Sequence, residues 1–162
     1  MSIKDITIVI TSFKSGEIIN NCLNSIDRQY KVILVENSND LEFKKKIEEK
    51  FNNVECILTG ENFGYGKANN IGLKKVKTKY ALILNPDTIL DVSALENFFT
   101  AINQVPGFAI MGPYIQEKKD ETKTKVTSDS NAYYLYTSLN VIQNGKPYYN
   151  KTWLKTFPRV LT

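Results

Sequence analysis

Ile6 to Ile10 is a continuous β-branched run, apolar but for Thr7, the pattern of a strand covered on both faces. Thr11-Ser12-Phe13-Lys14-Ser15-Gly16 breaks it. From Glu17 to Asp27 the residues Ile18, Ile19, Cys22, Leu23 and Ile26 recur every three or four positions, which predicts a helix with those side chains on one buried face. The unit then returns. Val32 to Val35 reads as a second strand, and Asp40 as the N-cap of a helix whose Phe43, Ile47 and Phe51 share a face while Glu42–Lys46 and Lys45–Glu49 pair on another. Val54 to Leu58 predicts a third strand, Gly60 to Gly66 a loop, Ala68 to Val76 a helix and Tyr80 to Leu84 a fourth strand. Strands alternating with helices imply parallel pairing with right-handed crossovers, so the pattern predicts a doubly wound, mainly parallel α/β sheet with helices on both faces.

After the fourth strand, Ser93-Ala94-Leu95-Glu96 fits a capping box opening a helix with Leu95, Phe98, Phe99 and Ile102 inward, and Phe108 to Met111 reads as a further strand. The alternation stops there. Residues 117–131 are almost all polar, a solvated hairpin tip or a mobile loop, and Ala132 to Thr162 is rich in tyrosine, with Trp153 and Phe157 beyond, without a clear element signal.

Composition narrows the chemistry. The chain has 162 residues, the size of one globular domain with a single core. It contains no histidine, which excludes Ser-His-Asp and Cys-His nucleophile systems, HExxH zinc sites and an imidazole base, and leaves acid-base and metal chemistry to carboxylates. A formal charge of +4 with dispersed lysines argues against a dedicated nucleic-acid binder. Cys22 and Cys56 lie far apart beside apolar residues, as buried reduced thiols do. A polar start leading into a short strand, and no apolar run near 18 residues, predict a cytoplasmic protein without signal peptide or transmembrane segment.

Ligands of doubly wound sheets bind beyond the carboxyl ends of the strands. That rim gathers Thr11-Ser12-Phe13, Glu36-Asn37, Gly60 to Gly66 and Asn85-Pro86-Asp87. A carboxylate at Asp87, on a turn stiffened by Pro86, is placed to join phosphate oxygens around Mg²⁺ or Mn²⁺, or else to bond the local backbone. Glu36 is either a contact to a ribose or base or a turn former. Two glycines followed by a helix start and Lys67 suit a diphosphate, although the spacing matches neither GxGxxG nor a GxxxxGK[ST] loop. Phe13 either flanks a flat base or belongs to the core.

In order, Ile10-Thr11-Ser12-Phe13, Cys22-Leu23-Asn24-Ser25-Ile26, Val35-Glu36-Asn37-Ser38, Asn62 to Gly72 and Leu84-Asn85-Pro86-Asp87 resemble the motif series of the family 2 glycosyltransferases of GT-A fold, over about Ile6 to Pro113. The Asn-Pro-Asp form looks like the rhamnosyltransferase branch. The resemblance implies that Thr11, Ser12 and Phe13 contact the nucleotide base and Glu36 the base or ribose. It sets Asn62, Gly64, Lys67 and Asn70 near the diphosphate and donor sugar, Asn85 near the sugar, and Asp87 on the Mn²⁺ or Mg²⁺ ion. The implied donor is a UDP- or dTDP-sugar, and the implied acceptor a glycan or lipid-linked molecule in polysaccharide synthesis, which peripheral association with a membrane would suit. Glu36 stands where the family usually has Asp. The acceptor-side carboxylate that serves inverting members as general base has no counterpart after Pro113, where Asp120, Glu121 and Asp129 lack its glycine-rich context, so the catalytic residue is unassigned. On this reading residues 1–162 form one domain, 1–113 its donor-binding core and 114–162 a partial acceptor side. The alternatives are a truncated, non-catalytic domain that binds nucleotide or a partner protein, and a nucleotidyltransferase-like enzyme, for which Thr11 to Gly16 is a poor phosphate loop.

Overall fold

Four parallel strands carry the fold: β1 (Ile6–Ser12), β2 (Lys31–Glu36), β3 (Val54–Leu58) and β4 (Tyr80–Leu84), joined by helices α1 (Ile18–Ser25), α2 (Leu41–Lys50) and α3 (Tyr65–Leu73). The structure is a computed structural model that describes residues 5–91, 93–104, 110–120, 123–136, 141–143, 146–148 and 159–161, with side-chain surroundings up to Met111. A fourth helix, α4 (Ala94–Gln104), precedes the antiparallel pair β5 (Ile110–Asp120) and β6 (Lys123–Tyr136); β7 (Val141–Gln143) and β8 (Lys146–Tyr148) pair separately, and β9 (Arg159–Leu161) returns to the main sheet.

The sheet order is β3-β2-β1-β4-β9-β5-β6. The chain winds outward from β1 through β2 to β3, then crosses back to place β4 on the other side of β1. This reversal makes the β1/β4 boundary the switch point, where a crevice opens beyond the carboxyl ends. Ile6, Ile8 and Ile10 face a cluster with Ile19, Cys22 and Leu23 of α1, Ile47 of α2 and Leu95, Phe98 and Ile102 of α4. Val9, Ile33, Val35 and Ala81 face Ala68 and Leu73 of α3 on the other side. The two apolar faces explain why the strands read as continuous hydrophobic runs.

The predicted fold class is the observed one, with local differences. Asp40 caps α2 as expected, accepting the Phe43 N–H at 2.8 Å. Ile18, the first residue of α1, is 56% exposed and stands outside the buried face. α3 starts at Tyr65 because Gly64, at φ 78°, turns the chain into it. The expected stretch to Val76 is a closing turn in which Lys75 and Val76 donate to Gly72 and Leu73. Gly72 is required where α3 meets the sheet: a Cβ there would lie 2.6 Å from Cγ1 of Val9 and 3.0 Å from Cγ2 of Val35.

Among the described residues the capping box is not closed: the Ser93 N–H, which Glu96 would accept in such a box, donates instead to Oδ1 of Asp91 at 2.8 Å, and the Ser93 hydroxyl donates to the same oxygen at 2.6 Å. The two bonds hold the Asp91 carboxyl below its ordinary range. Of residues 117–131, those at 117–120 and 123–131 lie in the paired strands β5 and β6, with Asp120 opposite Lys123. Phe108, Glu121, Trp153 and Phe157 lie outside the described residues.

The outer edge of β3 is closed by α2. Nζ of Lys44 donates to the Cys56 carbonyl and Oε1 of Glu48 accepts the Cys56 N–H at 2.9 Å, while the two side chains pair at 3.1 Å. Covering exposed strand groups in this way blocks edge-to-edge association.

Candidate functional site

The alternation of side chains along β1 and β2 divides the rim into two hydrogen-bond networks, one on each face of the sheet. Thr11 lies on the α3 face and donates its hydroxyl to Oδ1 of Asn69 at 2.8 Å, both residues being buried. Asn37, also buried, organises the loop before α3: it donates to Oδ1 of Asn62 at 2.8 Å and accepts the Phe63 N–H at 3.0 Å. Oδ1 of Asn62 in turn accepts the Gly64 N–H at 2.9 Å. The glycine loop is therefore held by side-chain amides, ahead of a helix start where backbone N–H groups lack partners in the helix.

On the opposite face, Ser12 and Glu36 are register neighbours of parallel strands. Glu36 is 1% exposed. Its Oε2 accepts the Ser12 hydroxyl at 2.5 Å, and its Oε1 accepts the Ser38 hydroxyl at 2.7 Å and, at a long 3.4 Å, the Lys14 N–H. Lys14 has a φ of 51°, a left-handed conformation uncommon for a residue with a side chain. The preceding Phe13 is 46% exposed, so it belongs to the surface of the rim and not to the core.

Across the switch point, Asn85-Pro86-Asp87 follows β4. The Tyr65 hydroxyl, at the start of α3, donates to Oδ1 of Asn85 at 2.7 Å, and the thiol of Cys22 on α1 approaches the Asn85 carbonyl at 3.6 Å. The turn is thus gripped from both faces. Burial, with the Asp87 charge adding to it, pushes the Cys22 thiol up to about 11, and burial raises Cys56 to about 12. Both cysteines are free and buried, as their flanking residues predict.

Asp87 is exposed, and among the described residues it takes part in no hydrogen bond or ion pair. Among those residues no group of three or more Cys, Asp or Glu side chains converges to hold a metal ion. Lys67 directs its ammonium over the Phe63 ring, 3.5 Å from the centroid, while Asn70 is half-buried on α3. Sequence reasoning missed Asn69 and Tyr65. Asn69 sits between Ala68 and the Gly72–Leu73 pair on the apolar face of α3, and that placement was the available signal for an inward polar group.

The region beyond the carboxyl ends of the strands, at the switch point of a doubly wound sheet, is the usual ligand site of such α/β proteins. Residues 7–157 match the sequence profile described as Glycosyl transferase family 2, and the chain belongs to that family. It is 27% identical over 119 residues to the low-salt glycan biosynthesis hexosyltransferase Agl10 of Haloferax volcanii, a match covering 71% of this chain and 38% of that protein. It is 30% identical over 110 residues to the teichoic acid poly(glycerol phosphate) polymerase of Staphylococcus epidermidis, covering 63% of this chain and 15% of the polymerase. The chain therefore spans well under half the length of either relative.

Among solved structures, S. aureus TarS gives a TM-score of 0.55 at 18% identity, covering 67% of this chain and 21% of TarS. The complex of TarS 1-349 with UDP-GlcNAc gives 0.56 at 20% identity, covering 67% and 34%. These likenesses show a shared α/β fold of GT-A type. Among the described residues no helix is long and apolar enough to cross a membrane.

Proposed function

We propose that this chain is the donor-binding domain of a glycosyltransferase that takes a UDP- or dTDP-linked sugar with Mg²⁺ or Mn²⁺ and passes the sugar to a glycan or lipid-linked acceptor. The observation that carries this reading is the Asn85-Pro86-Asp87 turn. It stands at the switch point beside Thr11, Ser12 and Phe13 and is tied by Tyr65 to the start of α3. Family membership and the names of the relatives point the same way. Agl10 is a hexosyltransferase of glycan biosynthesis, and TarS 1-349 holds UDP-GlcNAc.

The donor is read from its base to its sugar. Phe13 offers an exposed ring to the base, next to Thr11 and Ser12, with Glu36 at the same end. The loop bearing Asn62 and Gly64, with the amides that open α3, Lys67 and Asn70, takes the diphosphate and the donor sugar, and Asn85 lies beside the sugar. Since Oδ1 of Asn85 accepts from Tyr65, its amide nitrogen is left to donate to the donor.

A solitary exposed carboxylate does not build a resident metal site, but it fits an ion shared with a diphosphate, since Mg²⁺ is usually held by one or two carboxylates and substrate phosphates. When bound, such an ion supplies Lewis-acid neutralisation of the leaving nucleoside diphosphate. Asp87 would hold it, and the amides at the start of α3 would meet the remaining phosphate charge.

Incubating the chain with UDP-GlcNAc, UDP-glucose and dTDP-rhamnose in the presence of Mn²⁺ tests the reading by equilibrium dialysis and by release of nucleoside diphosphate. dTDP-rhamnose belongs in the panel because of the Asn-Pro-Asp turn. Binding with acceptor-dependent release supports a transferase complete in this chain, and binding without release confines the chain to donor recognition. Binding of none rejects the proposal.

A further inference from the structure

We propose that Asn37 is a positioning residue that sets which end of the Asn62 side-chain amide meets the donor, and that it acts on the donor through Asn62; the role in donor binding rests on the donor-binding reading above. A side-chain amide has an accepting end and a donating end, and a neighbour of fixed polarity decides which way it lies. Two backbone N–H groups fix it here. The Phe63 N–H donates to Oδ1 of Asn37 at 3.0 Å, which turns the Asn37 Nδ2 to Asn62, 2.8 Å away. The Gly64 N–H donates to Oδ1 of Asn62 at 2.9 Å, so that one oxygen takes both the Gly64 N–H and the Asn37 amide.

The consequence falls on the other end of Asn62. Asn62 is exposed, and with its oxygen held by two donors its Nδ2 is the end left to donate to an oxygen of the ligand. Asn37 imposes that choice from a firm base. It is 2% exposed, and its own N–H donates to the Ser12 carbonyl at 2.7 Å, extending the β1/β2 ladder past the end of β2. The sheet end thus sets the polarity of a side chain on the loop that precedes α3.

Amide hydrogen exchange by NMR on the full chain tests the orientation without nucleotide. Asn37→Asp keeps the acceptor for Phe63 but cannot donate, so its carboxylate draws the Asn62 Nδ2 inward and the Asn62 oxygen leaves the Gly64 N–H. Exchange at Gly64 is expected to speed up at least roughly fivefold, with Phe63 and Ile33 unchanged. Unchanged exchange at Gly64 overturns the proposal. Acceleration shared by Phe63 or by Ile33 overturns it too, because that reports release of the whole loop or global opening. Asn62→Asp is the converse variant: it keeps both acceptor bonds, so all three amides should exchange as before, and faster exchange at Gly64 overturns the assigned orientation.

Calorimetric titration of UDP with Mn²⁺ into four proteins, the unmodified chain, Asn37→Asp, Asn62→Ala and the double variant, tests the route to the donor. Asn37→Asp is expected to weaken UDP roughly fivefold in the unmodified background and by less than about twofold in the Asn62→Ala background. Equal losses in both backgrounds, or no loss in either, overturn a role exerted through Asn62. If the unmodified chain does not bind UDP, the donor-binding reading fails, while the hydrogen exchange still decides whether Asn37 orients Asn62.

Discussion

The Tyr65 hydroxyl donates to Oδ1 of Asn85 across 2.7 Å, joining the first residue of α3 to the turn after β4. This single bond links the loop proposed for the diphosphate to the turn that carries Asp87, and it orients the Asn85 amide. Tyr65→Phe removes the hydroxyl and little else. Donor affinity is expected to fall by about 1 kcal/mol, roughly fivefold, with no change in thermal stability because Tyr65 is 52% exposed. Titration of the two proteins with UDP and Mn²⁺, beside melting curves, checks the split.

The Thr11–Asn69 pair gives a different signature, since both residues are buried. Thr11→Val keeps the shape and orphans Oδ1 of Asn69, for an expected loss of about 1–3 kcal/mol in urea unfolding. Adding Asn69→Leu removes the orphan, so the double variant should lose less than the two single losses combined. A strictly additive double variant would show that the pair does not interact.

Gly72 fixes how closely α3 lies on the sheet. Gly72→Ala drives a methyl group to within 2.6 Å of Cγ1 of Val9, and such overpacking costs about 1–3 kcal/mol. Trimming the obstacle in the Val9→Ala background should reduce that cost, which a double-mutant cycle by chemical denaturation measures.

The two cysteines predict an alkaline weakness. Burial raises the Cys22 thiol from 9.0 to about 11 and that of Cys56 to about 12. Below pH 9 the thiols are protonated in both states and have no effect. As pH rises from 9 towards 11, the unfolded chain ionises its thiols while the folded chain cannot, so stability falls. Urea midpoints across this range should drop less in the Cys22→Ser, Cys56→Ser double variant, each compared with its own pH 8 value. Alkylation by iodoacetamide at pH 8 should be negligible until denaturant is added.

Much of this was legible in the chain because burial on two faces leaves a plain mark. Continuous runs such as Ile6–Ile10 and Tyr80–Leu84 announce strands of a covered parallel sheet, and Asp40 three residues before Phe43 announces a cap. The rim was legible as a set of segments, since topology alone brings strand ends together. What escaped was where the polar side chains turn. Glu36 sits at a strand tip, yet its register neighbour Ser12 and the nearby Ser38 draw it inward. Ser93 followed by Glu96 matches a capping box, but the Asp91 carboxylate two residues earlier takes the Ser93 N–H that Glu96 would accept. The start of α3 was obscured by Gly66, read as loop although it lies within the first helical turn. β9 was hidden because three residues, Arg159–Leu161, carry too little periodicity to be seen, and only their place between β4 and β5 makes them a strand.

Calorimetric titration of UDP into the chain, with and without Mn²⁺, and again with Asp87→Ala, tests the donor-site proposal most directly. Among the described residues Asp87 belongs to no cluster of three or more metal-ligating side chains, so Mn²⁺ alone should show no tight binding, UDP should bind more tightly when Mn²⁺ is present, and Asp87→Ala should abolish the metal-dependent part while leaving weak binding of UDP. UDP that fails to bind at all, or that binds equally with and without Mn²⁺ and equally to Asp87→Ala, would contradict a nucleotide-sugar site centred on Asp87.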